Sequence, residues 1–80
     1  MEKINIIVSF NGALDIKNIS SGETLNISKD TTISELLSFL GIIEQHKKYI
    51  IITVNNEKAS PSYKLKNNDI VKLFLPIGGG

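Results

Sequence analysis

Cysteine, tryptophan and arginine are absent from the 80-residue chain, and histidine occurs once, at His46. Without cysteine the chain has neither a disulfide bond nor a thiolate zinc site, and one histidine cannot form a histidine metal cluster. Nine lysines against eight acidic residues give a net charge of +1. Nucleic-acid binders usually carry a basic stripe in which arginine recognises phosphate or guanine, so the composition does not predict a nucleic-acid partner.

Long apolar runs are also missing. No segment reaches the roughly 18 apolar residues of a membrane span, and the first ten residues, MEKINIIVSF, lack the apolar core and cleavage site of a secretory leader. We therefore expect a cytoplasmic protein with no membrane partner. Hydrophobic residues make up 41% of the chain and charged residues 21%, which is an ordinary globular composition, and 80 residues allow a single domain.

Two early segments alternate with the period of a strand. In INIIVSFNG one side carries Ile4, Ile6, Val8 and Phe10, the other carries Asn5, Ile7 and Ser9, and Asn11-Gly12 follows as a turn. In ETLNIS, after the turn SSG, Leu25 and Ile27 share a face. The segment ALDIKNI between them has two interpretations. It either continues a hairpin directly from Asn11-Gly12 or forms an irregular excursion that leads to the second strand.

The period then changes to that of a helix. In TTISELLSFLG the apolar residues fall at i, i+3, i+4 and i+7, which predicts an amphipathic helix over about Ile33–Leu40. Thr32 and Glu35 have the spacing of a capping box, and Gly41 lies where a left-handed C-terminal cap is expected.

The second half of the chain contains further strands. YIIITV precedes Asn55-Asn56, a pair that tolerates the positive φ angles of a tight turn, and KNND precedes the last strand, IVKLFLPI, which Pro76 ends or confines to an edge. A short irregular or strand segment lies between them. Because a single amphipathic helix must bury its apolar stripe, this order predicts one helix covering one face of a mixed sheet.

Alternation also places apolar side chains on the face without the helix. If Val71 and Leu73 point inward, Phe74 points outward, and Ile7 and Ile51 lie on the outward side of their own strands. Should these strands be neighbours, Ile7, Ile51 and Phe74 would form a connected apolar patch of the kind that often marks a partner site. The alternative is that each is a lone surface residue or is covered by a loop.

The ordered set of elements resembles the MoaD/ThiS family of small ubiquitin-like sulfur carrier proteins. The likeness rests on ETLNISKDTTISELLSFLG, ITVNNE, LKNNDIV and LFLPIGGG, and it covers nearly the whole chain. Asparagine replaces the family's glycine in both turns, at Asn56 and Asn68, and asparagine also accepts left-handed backbone angles. The resemblance implies an α+β fold, the ubiquitin-like β-grasp, with a mixed sheet of four to five strands on one main helix. It also implies a β-grasp domain, residues 1–77, and a flexible Gly-Gly-Gly tail, residues 78–80.

In that family the C-terminal carboxylate is the working group. The resemblance implies that the carboxylate of Gly80 attacks the α-phosphate of ATP within a ubiquitin-activating-type adenylyltransferase, and that a persulfide sulfur donor then converts the adenylate to a thiocarboxylate. The sulfur passes to a synthase, either the molybdopterin synthase large subunit or thiazole synthase. The chain is then a co-substrate and not an enzyme, and it binds no cofactor itself, since the partner uses the ATP.

A tail without side chains suits a co-substrate that must enter the active site of another protein. Three extended residues reach about 10 Å, and without side chains they fit a channel only as wide as the backbone. Phe74 and Ile77 match apolar positions that contact the partner in the family, and Pro76 matches the prolines before its tail. Leu75 departs from the members that have two consecutive prolines. The implied site therefore comprises the tail residues Gly78, Gly79 and Gly80 and the partner-binding residues Phe74, Pro76, Ile77, Ile7 and Ile51.

Two other functions stay open. The same tail, activated in the same way, could be transferred to a lysine of a target, as in a ubiquitin-like protein modifier. The chain could also be a β-grasp binding module with an inert tail, because glycine-rich chain ends are common. The pathway is not assigned. PIGGG resembles the tail of the thiamine-thiazole carriers, whereas LFLP and the long excursion after the first strand resemble the molybdopterin synthase small subunits, to which the shape is slightly more similar.

No other residue combination suggests catalysis. Glu44, Glu57 and Asp69 show no pairing typical of acid-base chemistry, and no glycine-rich phosphate loop is present. His46 lies among charged neighbours and is expected to be solvated.

Overall fold

A five-stranded mixed sheet forms the body of the molecule in this computed structural model, which describes residues 2–11, 14 and 16–76. The elements in chain order are β1 (Lys3–Phe10), β2 (Glu23–Ser28), α1 (Ile33–Phe39), α2 (Glu44–Lys47), β3 (Ile51–Val54), β4 (Glu57–Lys58) and β5 (Ile70–Phe74). The strand order across the sheet is β2-β1-β5-β3-β4. Only β1 and β5 pair in parallel, and the other neighbours are antiparallel. The predicted order of elements is confirmed, and the short segment after β3 is the two-residue strand β4.

The core lies between α1 and one face of the sheet. On β1 and β5 every second side chain is buried, and Ile6, Val8 and Val71 are fully enclosed. On α1 the buried residues are Ile33, Leu36 and Leu37, as the helical period predicts. Burial of these side chains from both layers is the main stabilising term for a domain of this size.

Helix α1 has the predicted caps. The Glu35 backbone N–H donates to the Thr32 hydroxyl at 3.2 Å, and the Thr32 backbone N–H donates to the Glu35 carboxylate at 2.9 Å. The Thr32 hydroxyl also donates to this carboxylate, at 3.2 Å. The two hydrogen bonds to the carboxylate, from the Thr32 backbone first and its hydroxyl second, lower the pKa of Glu35. The helix ends one residue earlier than predicted, with Leu40 as its C-cap, and Gly41 follows with a φ of 75°.

The segment after β1 is an irregular excursion and not a direct hairpin. β2 begins only at Glu23, which pairs with Val8, and the Gly22 N–H donates to the Val8 carbonyl at 2.8 Å. Three excursion residues are buried in the core: Leu14, Ile16 and Ile19. Their burial favours the excursion over a direct hairpin, because a tight turn at Asn11 would keep these three side chains out of the core.

Helix α2, in the polar stretch between α1 and β3, was not predicted. It has four residues and no buried side chain, so it carries no apolar stripe that a sequence pattern can detect. His46, expected to be solvated, is half-buried and lines a cavity of about 280 Å³ with Leu14, Ile16 and Ile42.

Candidate functional site

The sheet face opposite α1, called the open face here, carries exposed apolar side chains. The fractional exposures are 36% for Ile7, 41% for Ile51, 42% for Ile70 and 48% for Phe74. The expectation that Ile7, Ile51 and Phe74 point away from the core is therefore confirmed. Ile70 is a further member, which the same alternation indicates because it lies four residues before Phe74 on β5.

The register divides these side chains into two pairs. Ile7 lies beside Ile70, and Ile51 lies beside Phe74. Lys72 occupies the row between the pairs, with Ser9 on one side and Thr53 on the other.

The predicted connection between Ile7 and Phe74 is thus wrong. β1 and β5 do neighbour one another, but four residues of strand, about 13 Å, separate the row of Ile7 from the row of Phe74. The charged Lys72 lies between them. The strands are neighbours, as the expected patch required, but the register depends on the length of the loops and could not be deduced from alternation alone.

The end of β5 lies at the Ile51–Phe74 pair. Leu75 is half-buried and packs against the core, and Pro76 is exposed. The Asn11 side chain holds the Leu75 backbone through two hydrogen bonds: the Leu75 N–H donates to Oδ1 at 3.2 Å, and Nδ2 donates to the Leu75 carbonyl at 3.1 Å. Pro76 has no N–H with which to extend the ladder, so the strand ends there. The predicted site residues Ile77, Gly78, Gly79 and Gly80 lie outside the described residues.

The start of β5 contains a polar cluster that sequence reasoning missed. Asp69 is only 4% exposed, and its carboxylate accepts three hydrogen bonds. The Lys66 N–H donates at 2.8 Å, the Tyr63 hydroxyl at 3.0 Å and Nδ2 of Asn55 at 2.9 Å. Oδ1 of Asn55 in turn accepts from the Ile70 N–H at 2.9 Å.

This cluster raises the pKa of Tyr63 above its usual value of 10.0. Partial burial of the phenol is the main cause, followed by its hydrogen bond to Asp69 and the charge of that carboxylate. Every carboxylate oxygen of Asp69 is occupied by a donor from its own fold. The cluster therefore has a structural role, because it joins the β3–β4 turn to β5. The pattern LKNNDIV places a carboxylate next to a turn, but the pattern alone does not show that this carboxylate is buried.

The described part of the chain offers few other chemical sites. Among residues 2–11, 14 and 16–76 no three His, Asp or Glu side chains are close enough to hold a metal ion. Within the same ranges, no helix has the length and apolar character needed to cross a membrane.

The model of the ThiS family matches residues 8–80. No curated protein sequence matches the chain. Among solved structures, SAMP1 from Haloferax volcanii is 18% identical with a TM-score of 0.71, and the match covers 95% of this chain and 99% of that one. A second structure, the H. volcanii small archaeal modifier protein 1, is 15% identical with a TM-score of 0.68, covering 92% and 99%.

A third match has higher sequence identity. It is a protein-protein complex of subunits 1 and 2 of molybdopterin-converting factor from Helicobacter pylori 26695, with 26% identity, a TM-score of 0.56 and coverage of 96% of this chain and 100% of that one. Together with the two archaeal structures it confirms the predicted fold, a small α+β domain of the ubiquitin-like β-grasp type.

Proposed function

The chain belongs to the ThiS family, and from that membership we propose that it is a cytoplasmic sulfur carrier whose Gly80 carboxylate is adenylated by a partner enzyme and converted to a thiocarboxylate. The observation that carries the proposal is the reach of the family match, which runs from β1 through the fold to Gly80. The match includes the three glycines as well as the strand that precedes them. A family of small ubiquitin-like carriers is not itself catalytic.

The proposed chemistry uses the tail as a substrate. A Gly80 carboxylate oxygen attacks the α-phosphorus of ATP in a ubiquitin-activating-type adenylyltransferase, the bond to the β-phosphate oxygen breaks, and pyrophosphate leaves. A persulfide sulfur then attacks the acyl carbon and displaces AMP. A thiol cleaves the resulting acyl disulfide, which gives the thiocarboxylate and a new disulfide. Because this chain has no cysteine, the persulfide and the thiol that cleaves the acyl disulfide both come from partner proteins.

The partner-binding surface in this proposal is the end of the open face nearest the tail. Phe74 and Ile51 form an exposed apolar pair beside the strand end, and Pro76 follows directly. We assign Ile77 to the same surface, and Ile7, which lies beside Ile70 at the other end of the open face, to a separate contact with the partner. In the adenylation assay, Phe74→Ser should raise KM for the carrier without changing kcat; an unchanged KM would remove Phe74 from the surface.

The acceptor of the sulfur is proposed as a synthase. The H. pylori structure is a complex of two subunits of molybdopterin-converting factor, which supports a synthase partner that binds a protein of this fold. The family model, in contrast, is that of ThiS, so thiazole synthase is the second candidate acceptor.

A second candidate function is protein modification. Its supporting observation is the shared fold with the small archaeal modifier protein 1 of H. volcanii. In that case the activated Gly80 would form an isopeptide bond with a lysine of a target.

Intact mass spectrometry of the protein isolated from its own host, without reductant or strong base, tests these alternatives. A sulfur carrier gives a species in which one oxygen of Gly80 is exchanged for sulfur. A variant with one alanine added after Gly80 is the matched control, because it keeps the glycines but displaces the carboxylate, and it should give no exchange. Lysine-linked conjugates without any thiocarboxylate would reject the carrier in favour of the modifier. If a variant that lacks Gly79 and Gly80 still performed the protein's function in its host, both the sulfur carrier and the modifier would be rejected.

A further inference from the structure

Asn11 forms an unusual junction between the end of β1 and the end of β5. Its backbone N–H donates to the Leu73 carbonyl at 3.3 Å, as the next step of the parallel ladder requires. In a regular ladder the Asn11 carbonyl would then accept from the Leu75 N–H. Instead that carbonyl accepts from the Leu14 N–H at 3.1 Å, because the chain has already turned into the excursion.

The Asn11 side chain replaces the diverted carbonyl. Oδ1 accepts the Leu75 N–H at 3.2 Å, and Nδ2 donates to the Leu75 carbonyl at 3.1 Å. The orientation of the amide is fixed, since a backbone N–H can only donate and therefore must face the oxygen. Both backbone polar groups of Leu75 are thus held by one side chain.

The contact between Asn11 and Leu75 lies at the end of the packed core, immediately before Pro76. Leu75 is the last described residue that packs against the core, and the exposed Pro76 follows it. The Leu75 backbone therefore sets the point and the direction from which Pro76 continues. Five residues, the number from Pro76 to Gly80, span at most about 17 Å when extended, so the position of Leu75 limits how far the Gly80 carboxylate can reach.

We propose that Asn11 is a positioning residue for the C-terminal tail, which fixes Leu75 so that the tail enters the partner's adenylation site from a set origin. The inference rests on the proposed function, because it gives the tail a site to enter. Without the amide, Leu75 has to be ordered when the partner binds, and the cost of ordering one backbone residue falls on association. That cost corresponds to about a five- to thirtyfold weaker productive binding.

Asn11→Ala tests the inference, with Asn18→Ala as its matched control. Asn18 also donates from Nδ2 to a backbone carbonyl, that of Phe39, at 3.1 Å, but it lies away from the end of β5. The first measurement is amide hydrogen exchange by NMR. In Asn11→Ala the Leu75 N–H should lose its protection while the Val71 N–H keeps it, and Asn18→Ala should change neither.

The second measurement is ATP–pyrophosphate exchange catalysed by the adenylyltransferase of the same host, with the full-length carrier as substrate. Asn11→Ala should raise KM for the carrier about five- to thirtyfold with kcat within about twofold of wild type. A purely structural role would raise the apparent KM only by the reciprocal of the folded fraction, which urea denaturation of Asn11→Ala measures independently, so a positioning role requires a rise in KM beyond that factor.

The outcomes separate the two proposals. If wild-type carrier supports no exchange, the adenylation proposal fails, and the hydrogen-exchange result still decides whether Asn11 holds the base of the tail. If wild-type carrier is active and Asn11→Ala has the same KM, the positioning role is overturned. It is also overturned if Leu75 stays protected in Asn11→Ala.

Discussion

The two ends of β5 are held by the same device and differ in what surrounds it. At the start, the Ile70 N–H donates to Oδ1 of Asn55; at the end, the Leu75 N–H donates to Oδ1 of Asn11. Each asparagine side chain supplies an acceptor that a neighbouring strand would otherwise provide. The Asn55 amide also donates to the buried carboxylate of Asp69. The Asn11 amide holds Leu75, which the exposed Pro76 follows. The comparison suggests that one end of β5 serves stability and the other serves presentation of the tail.

Asp69→Ala is expected to have the largest effect on stability. It leaves the donors of Lys66, Tyr63 and Asn55 without their acceptor at a nearly closed site. The free energy of unfolding should fall by about 3 kcal/mol, measured by urea denaturation. Asp69→Asn is the control and should lose about half as much, because one oxygen remains to accept from Tyr63 and Lys66. A loss in Asp69→Ala no larger than that in Asn11→Ala would break the comparison.

The two asparagines can be compared directly by removing each side chain. Asn55→Gly keeps a residue that tolerates the φ of 53° and deletes only the amide and its two hydrogen bonds. We expect a loss of about 1 to 2 kcal/mol in the free energy of unfolding, against about 1 kcal/mol or less for Asn11→Ala. In the adenylation assay the order should reverse, with KM raised by Asn11→Ala and unchanged in Asn55→Gly. A rise in KM for Asn55→Gly would show that both ends act on the tail.

The smallest expected effect is on the ionisation of Tyr63. In a Tyr49→Phe background Tyr63 is the only tyrosine, so the ultraviolet absorbance of tyrosinate reports its titration alone. The midpoint should lie above the usual pKa of 10.0. Because the folded state holds the phenol proton more tightly, this contribution to stability is present below pH 10 and is lost as the pH rises through the folded pKa.

Adding Asp69→Asn to that background should reduce the rise in the Tyr63 pKa without abolishing it. Burial is the largest cause of the rise, and the hydrogen bond and charge of Asp69 come after it. A pKa that does not respond to Asp69→Asn would mean that the cluster at the start of β5 is looser in solution.

Local patterns were sufficient to predict most elements. The capping box of Thr32 and Glu35, the left-handed Gly41 and the turn asparagines are all determined by neighbouring residues, and the structure contains each of them. Alternation also identified the exposed side of β5, including Phe74. These features depend on interactions between residues close together in the chain, which is why the sequence alone reveals them.

Features that depend on distant residues were not predicted. The loops set the parallel register of β1 and β5, and this register places the row of Lys72 between Ile7 and Phe74. The burial of Asp69 needs Tyr63 and Asn55 to be in place, and the role of Asn11 needs Leu75, 64 positions away. Helix α2 lacked any apolar periodicity to detect.

The central pairing of β1 with β5 also bears on how the protein is made. β1 emerges first from the ribosome, yet its parallel neighbour is the last strand described. A chain released before Ile70 would leave both β1 and β3 with an empty edge in the middle of the sheet. The sheet can therefore close only once β5 has been synthesised, so the pairings of β5 with β1 and β3 are the last of the described strand pairings to become possible.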